Sequence, residues 1–325
     1  MKGTHHVIVE TGRLKYEFDI KRNITIIQGN SATGKTTLIG LLRDYAEFAD
    51  KTGVRIVSDV ECKVFGGGLS SWDIEIKGCK NSIVFIDEGH SFIYTEEFAR
   101  VIKETDNYYV LITRKAIRTL PYSINEVYGI RNSGKYNYPE KIYHEFYQIY
   151  GDIRGEQNEK ADYLVVEDSN SGYQFYDRVL SETKCVSAGG NTKVYRQVRD
   201  LGREGVISVI IDGAAFGAYI EELLLLAERM GNVAIYMPES FEWMILKSGV
   251  LEFEDKKDIL ENAQNYIESK DYFSWEQYFT DLLTQITGGT VYEYHKAKLS
   301  AYYVEGRNSE RILAVIPDTM RKMLK

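Results

Sequence analysis

Two glycines five positions apart, the second followed at once by lysine and threonine, make the most chemically loaded stretch of the chain: Gly29-Asn30-Ser31-Ala32-Thr33-Gly34-Lys35-Thr36. It fits the P-loop pattern G-x-x-x-x-G-K-[ST] at every fixed position. Glycines let such a loop turn tightly, so that successive backbone N–H groups point inward and cradle phosphate oxygens. Lys35 is then expected to reach the β- and γ-phosphates of a nucleotide, and Thr36 to set its hydroxyl on Mg²⁺. Thr37, directly behind the motif, completes the expected nucleotide-binding run.

A second constellation concerns the fate of that nucleotide. Ile83-Val84-Phe85-Ile86-Asp87-Glu88 is an apolar run ending in two acids, the Walker B form. Asp87 is expected to hold Mg²⁺, and Glu88 to orient and deprotonate the attacking water, with Lys35 as the catalytic cation. An acid pair ending a strand can also merely cap the next helix. Tyr108 to Ile112 delivers Thr113 and Arg114 to the same sheet edge, as candidate sensors of the γ-phosphate; an ordinary strand-end threonine is the alternative. His90 either lines this site or caps it.

Adenine is favoured over guanine, because the chain has no Asn-Lys-x-Asp to read a guanine edge. Gly66-Gly67-Gly68-Leu69-Ser70 has the composition of an ABC signature but not its order, and reads as a loop between strands. A P-loop kinase is a further option, although Glu88 beside Asp87 points to water as the acceptor.

These residues need elements to carry them. Ile24 to Ile27 reads as a buried strand, and Thr37 to Leu42 opens a helix whose N-terminus favours anions. Strands are expected at 6–10, 14–20, 54–57, 61–65, 72–76 and 124–131, and a helix at 95–104. Residues 132–139 carry loop chemistry. Glycine and charge dominate 151–160, which is read as a linker after a first domain at 1–150. Beyond it strands and helices alternate, the sign of a parallel sheet. The strands are expected at 163–166, 184–187, 206–211 and 233–237, the helices at 173–180, 192–201, 216–230 and 241–246. Residues 161–250 form the second domain, and 251–325 a mostly helical segment packing on it.

At 325 residues the chain has room for two cores. A net charge of −8 argues against a general nucleic-acid coat protein, although Lys184, Lys193, Arg196, Arg199 and Arg203 cluster in one stretch. Such clusters are most often solvated helix faces. Three cysteines without Cys-x-x-Cys spacing exclude a disulfide framework or zinc site from the expectations. Val206 to Ala227 is greasy but interrupted by acids, so no membrane span is expected, and no apolar signal core opens the chain. A cytoplasmic setting is expected.

Ligands gather at the carboxyl ends of parallel strands. There the second half puts Glu167, Asp168, Gly189-Gly190-Asn191, Asp212 and Glu239. Converging carboxylates would suit Mg²⁺ or Mn²⁺. The bland alternative is that each acid caps the helix that follows it. The expected metal-holding set of the whole chain is Thr36, Asp87, Glu167, Asp212 and Glu239.

The order Val165-Val166-Glu167, Gly189-Gly190-Asn191, Val209-Ile210-Ile211-Asp212 and Pro238-Glu239-Ser240-Phe241-Glu242 resembles a Toprim domain, most like those fused to ATPases in the OLD (overcoming lysogenization defect) nucleases. The resemblance implies an α/β chain: a P-loop NTPase domain, then a parallel-sheet Toprim-like domain with a helical C-terminal segment. It implies ATP and Mg²⁺ as cofactors, DNA or RNA as partner, and a setting in phage or plasmid defence. In the family a glutamate after the first strand and an Asp-x-Asp after a later one hold the metal, and Glu167 and Asp212 match these. Ala214 stands where the second aspartate belongs, and Asp168 and Ser171 replace the glycine and aspartate of Glu-Gly-x-x-Asp. Lys298 is the expected stabiliser of a phosphoryl transition state. These departures keep open a nucleotide-dependent switch whose second domain binds without cutting. A homodimer completing its site with a neighbour's Arg118 or Arg131 is also expected.

Overall fold

The computed structural model describes residues 1–325 except 30–32, 69–70, 138–140, 152, 155–158 and 325. Two compact units emerge: Met1–Tyr150 with Asn262–Phe273, and Gly151–Glu261 with Ser274–Lys325. The stretch 262–273, expected with the second unit, thus belongs to the first. Its backbone is tied there: Gly3 donates to the Gln264 carbonyl, and Asn23 Nδ2 donates to the carbonyls of Ser269 and Tyr272.

The first unit holds strands β1 (His5–Glu10), β2 (Leu14–Ile20), β3 (Ile24–Ile27), β4 (Arg55–Val57), β5 (Glu61–Val64), β6 (Ser82–Ile86), β7 (Tyr108–Ile112), β8 (Val127–Asn137) and β9 (Lys141–Gln148). They form one mostly parallel sheet in the order β4-β1-β2-β9-β8-β3-β7-β6-β5. β3, β6 and β7 are buried at every position, as continuous apolar runs in a parallel sheet should be. β1 and β2 instead alternate and pair antiparallel, leaving one face to solvent. Helices α1 (Lys35–Phe48), α2 (Trp72–Gly78) and α3 (Glu96–Lys103) cover the sheet. α1 buries Leu38, Ile39 and Leu42 in a core with Tyr16, Phe18 and Ile112.

Two expectations in this unit fail for identifiable reasons. Trp72-Asp73-Ile74-Glu75-Ile76 alternates like a strand but forms α2. Trp72 and Ile76 lie on one face at either period, and Ile74, the residue that decides, is 70% exposed. Asp73 and Glu75 near the N-terminus and Lys77 near the C-terminus complement the helix dipole. Residues 132–139 are no loop as far as they are described: β8 runs to Asn137 across a bulge between Asn132 and Tyr136, where Gly134 takes φ +72°. β9, which the sequence reading lacks, pairs with β8 antiparallel and with β2 parallel.

The second unit has β10 (Ile153–Arg154), β11 (Tyr163–Val166), β12 (Lys184–Ser187), β13 (Ile207–Ile210) and β14 (Val233–Tyr236), in the order β10-β14-β13-β11-β12. All but β10 pair in parallel. Between them run α4 (Ser171–Val179), α5 (Asn191–Leu201) and α6 (Ile220–Met230), followed by α7 (Phe241–Lys247), α8 (Lys256–Glu261), α9 (Trp275–Thr287), α10 (Ala301–Val304), α11 (Gly306–Leu313) and α12 (Asp318–Met323). The helix expected from 216 begins only at Ile220. The chain passes from β11 outward to β12, then back across to β13. A crevice therefore opens at the carboxyl ends of β11 and β13, where the strand order reverses. No described helix is long and apolar enough to cross a membrane.

Candidate functional site

In the first unit β3 and α1 frame the glycine-rich loop, of which Asn30, Ser31 and Ala32 lie outside the described residues. Gly29 takes φ +138° and Gly34 φ +98°, conformations that side chains disfavour. A Cβ on Gly34 would also stand 2.9 Å from the Tyr16 hydroxyl, which donates to the Gly34 carbonyl at 3.0 Å. Lys35 folds over the loop, donating to the Gly29 carbonyl (2.6 Å) and to Thr33 Oγ1 (3.0 Å). Burial lowers the pKa of its ammonium, opposed by the charge of Glu88.

A cavity of about 320 Å³ gathers Thr33, Gly34, Lys35, Thr36 and Thr37 with Asp87, Glu88 and Arg114. Strand order explains how. β6, which delivers Asp87 and Glu88, is separated from β3 by β7 alone, so about 10 Å lies between cradle and acids at two strand spacings. Arg114, at the end of β7, grips Glu88 through two bonds of 2.8 and 3.0 Å. Asp87 accepts the Glu88 backbone N–H at 2.8 Å.

Thr113 does not line this cavity. It is 1% exposed, shares a 2.7 Å hydrogen bond with the Tyr94 hydroxyl and donates to the Lys115 carbonyl, as an ordinary strand-end threonine would. His90 packs edge-on against Phe65, and neither it nor the glycine run from Gly66 borders the cradle cavity. Ile112 also lines it, and Leu14, Tyr16 and His144, absent from the sequence reading of the site, complete its wall. The alternation of Ile142, His144 and Phe146 was the available signal, since it sets His144 on one face of β9.

In the second unit Glu167 follows β11 and Asp212 follows β13, on either side of the crevice. Burial raises the Glu167 pKa to about 7, helped by repulsion from Glu276 and Asp168. Burial likewise lifts Asp212 well above its ordinary value, with Glu276, Glu167, Glu242 and Asp168 adding to the effect. Two acids near the strand ends, Asp168 and Asp212, also have structural duties. Asp168 accepts the backbone N–H groups of Gly172 and Tyr173 at the start of α4 (3.3 and 2.9 Å), and Asp212 Oδ1 accepts that of Phe241 at the start of α7 (3.1 Å).

Glu242, Glu276 and Lys296 join the cluster without having been anticipated. Glu242 is 1% exposed; its Oε1 accepts from the Tyr294 hydroxyl at 2.6 Å, and its Oε2 has no partner. Lys296 lies 2.6 Å from Glu276 and 3.7 Å from Glu242. Burial works against its charge, yet those carboxylates outweigh it and raise its pKa. Lys296, which the sequence reading did not single out, is thus the ammonium that pairs with these carboxylates. Glu239 is not among the residues that border the small cavity at Glu167 and Asp212; its backbone carbonyl accepts from Ala214. Among the described residues no group of three or more His, Cys, Asp or Glu side chains stands at metal-holding geometry.

The part of the basic stretch carried by α5 is a solvated face, where Arg196 and Arg199 both pair with Asp200. Arg131 is engaged with Glu145 at 2.8 Å. Compared with models of known protein families and with curated proteins, the chain matches none.

Proposed function

We propose that the first unit binds MgATP and hydrolyses it, and that this cycle gates the second unit, a Toprim-like module that acts on nucleic acid. The observation that carries the first half is a single cavity lined by Thr33, Gly34, Lys35 and Thr36 together with Asp87 and Glu88, which come from strands separated by one intervening strand. Thr36 and Asp87 supply hard oxygen donors of the kind Mg²⁺ takes. When bound, that ion would neutralise charge on the β- and γ-phosphates. Glu88 takes the proton of the attacking water; the new bond forms from its oxygen to the γ-phosphorus as the bond to the β–γ bridging oxygen breaks, giving ADP and phosphate. Lys35 and Arg114 offset the charge on the transferred group. Arg114 must let go of Glu88 before that glutamate can act as base.

Support for the second half is that Glu167, Asp168 and Asp212 line one small cavity at the parallel strand ends, within electrostatic reach of Glu242 and Glu276, with one buried carboxylate oxygen of Glu242 unpartnered. As described, these acids do not stand at metal-holding geometry; a divalent cation that drew Glu167 and Asp212 together would supply the charge needed to clamp a phosphodiester. A second reading, a module that binds without cutting, is favoured by Ala214 and by Lys296, which already offsets part of the carboxylate charge.

Phosphate release tests the ATPase. Glu88→Gln should keep MgATP binding while turnover falls about 10²- to 10⁴-fold. No affinity of the intact protein for MgATP would overturn the proposal. Incubation with linear and supercoiled DNA, and with RNA, in Mg²⁺ or Mn²⁺ plus ATP separates the two readings. Cleavage that is lost in Glu167→Gln supports the first, and binding without cleavage supports the second.

A further inference from the structure

We propose that His144 is the base-stacking platform of the nucleotide site: a purine ring lies flat on the imidazole face turned away from Tyr16, and stacking area selects purine over pyrimidine triphosphates. The inference rests on the nucleotide reading of the cradle and names what that site recognises beyond phosphate.

Topology sets the direction. With β3 at the cradle, the hydrolytic acids lie on one side, past β7, while β9 and β2 lie on the other, past β8. A triphosphate whose γ-phosphate faces Glu88 therefore extends its base towards β9 and β2. Leu14, Tyr16 and His144 form the cavity wall there, with no charged side chain among them at neutral pH.

The platform is built before any ligand arrives. Tyr16 and His144 are register partners on the parallel strands β2 and β9, and their rings stack with centroids 4.6 Å apart and planes 12° apart. Tyr16 is fully buried and its hydroxyl is pinned to the Gly34 carbonyl, so the backing ring is fixed to the phosphate loop itself. Burial drives its pKa up to about 12, which keeps that hydroxyl a donor. Burial also lowers the pKa of His144, favouring the neutral ring, and its Nδ1 has no hydrogen-bond partner. A flat, neutral, rigidly backed ring at the mouth of a phosphate cradle is suited to a base face, which any aromatic ring can stack upon.

Calorimetry on the intact protein tests this with MgATP, MgGTP, MgCTP, MgUTP and magnesium tripolyphosphate. The wild type should bind both purine nucleotides about ten-fold tighter than the pyrimidine ones. His144→Ala should weaken MgATP by about ten-fold and erase the purine preference, with tripolyphosphate unchanged, and His144→Phe should restore both. Equal losses for MgATP and tripolyphosphate would mean that His144 only braces the loop, and would overturn the platform. So would a purine preference that survives in His144→Ala, or a wild type that shows none. A wild type that binds neither MgATP nor tripolyphosphate overturns the nucleotide reading itself, a result distinct from the others.

Discussion

Both candidate sites stand at the carboxyl ends of parallel strands, yet their charges are arranged in opposite ways. At the cradle each formal charge already has a partner: Glu88 is held by Arg114, and Lys35 lies on the Gly29 carbonyl and Thr33. Near the crevice of the second unit, Lys296 pairs with Glu276 and Glu242, while Asp212 feels the charges of Glu276, Glu167, Glu242 and Asp168. The first arrangement is stable without a ligand and must break a contact to work. The second carries uncompensated charge: burial and mutual repulsion raise the pKa values of Glu167, Asp168 and Asp212 above their ordinary range. On the proposed reading, the first site accepts an anion and the second a cation.

The sharpest way to break this contrast is to remove the cation of the first site. Lys35→Ala should weaken MgATP binding by about 100-fold or more, since it deletes the charge that meets the phosphates. Mn²⁺ binding measured by calorimetry without nucleotide should respond in the opposite pattern, unchanged in Lys35→Ala and weakened in Glu242→Gln. A Glu242→Gln variant with undiminished Mn²⁺ affinity would remove the cation-accepting half of the comparison.

Proton linkage gives the next largest effect. Glu167 has its pKa raised in the folded state to about 7 from an ordinary 4.5, so the native protein holds that proton more tightly than the unfolded chain. The associated stabilisation is complete below about pH 4.5 and is lost as the pH climbs through about 7. Relative to Glu167→Gln, the wild type should therefore lose stability across that window, by on the order of 3 kcal/mol. Urea denaturation of both proteins from pH 4.5 to 8 reads the difference. A gap that widens as the pH falls would contradict the assigned burial.

The two sites also differ in how far they could be read from sequence. Local spacing carries the cradle almost entirely, because Gly29, Gly34, Lys35 and Thr36 act within one turn of chain. Asp87, Glu88 and Arg114 were legible as ends of apolar runs, and burial of β6 and β7 at every position follows from those runs. Thr113 had the right position but the wrong orientation, which its bond to Tyr94 decides and no strand pattern reveals. The crevice is different. Glu167 and Asp212 follow from strand order, but Glu242, Glu276 and Lys296 come from α7, α9 and the segment before α10, brought in by packing. Glu239 was legible as a strand-end acid, whereas Glu242, three residues on in α7, is the one that helix packing buries. β9 was missed because the glycine and asparagine of its bulged partner strand look like a loop, and with it went His144.

Arg114 offers the smallest effect and the finest distinction. In the structure its guanidinium is spent on Glu88, a pair exposed enough to be worth only about 0.2–1 kcal/mol. A γ-phosphate brings more negative charge than one carboxylate, so Arg114 should transfer to it and release Glu88 towards the water. The gain at the phosphate is partly offset by the broken pair, which limits its net value. Arg114→Gln should therefore weaken MgATP binding only about three- to five-fold. MgADP, lacking the group that draws the arginine away, should bind unchanged. An equal loss for both nucleotides would mean that Arg114 supports the cavity wall without sensing the third phosphate. The coupling between triphosphate binding and release of the base would then have no residue to carry it.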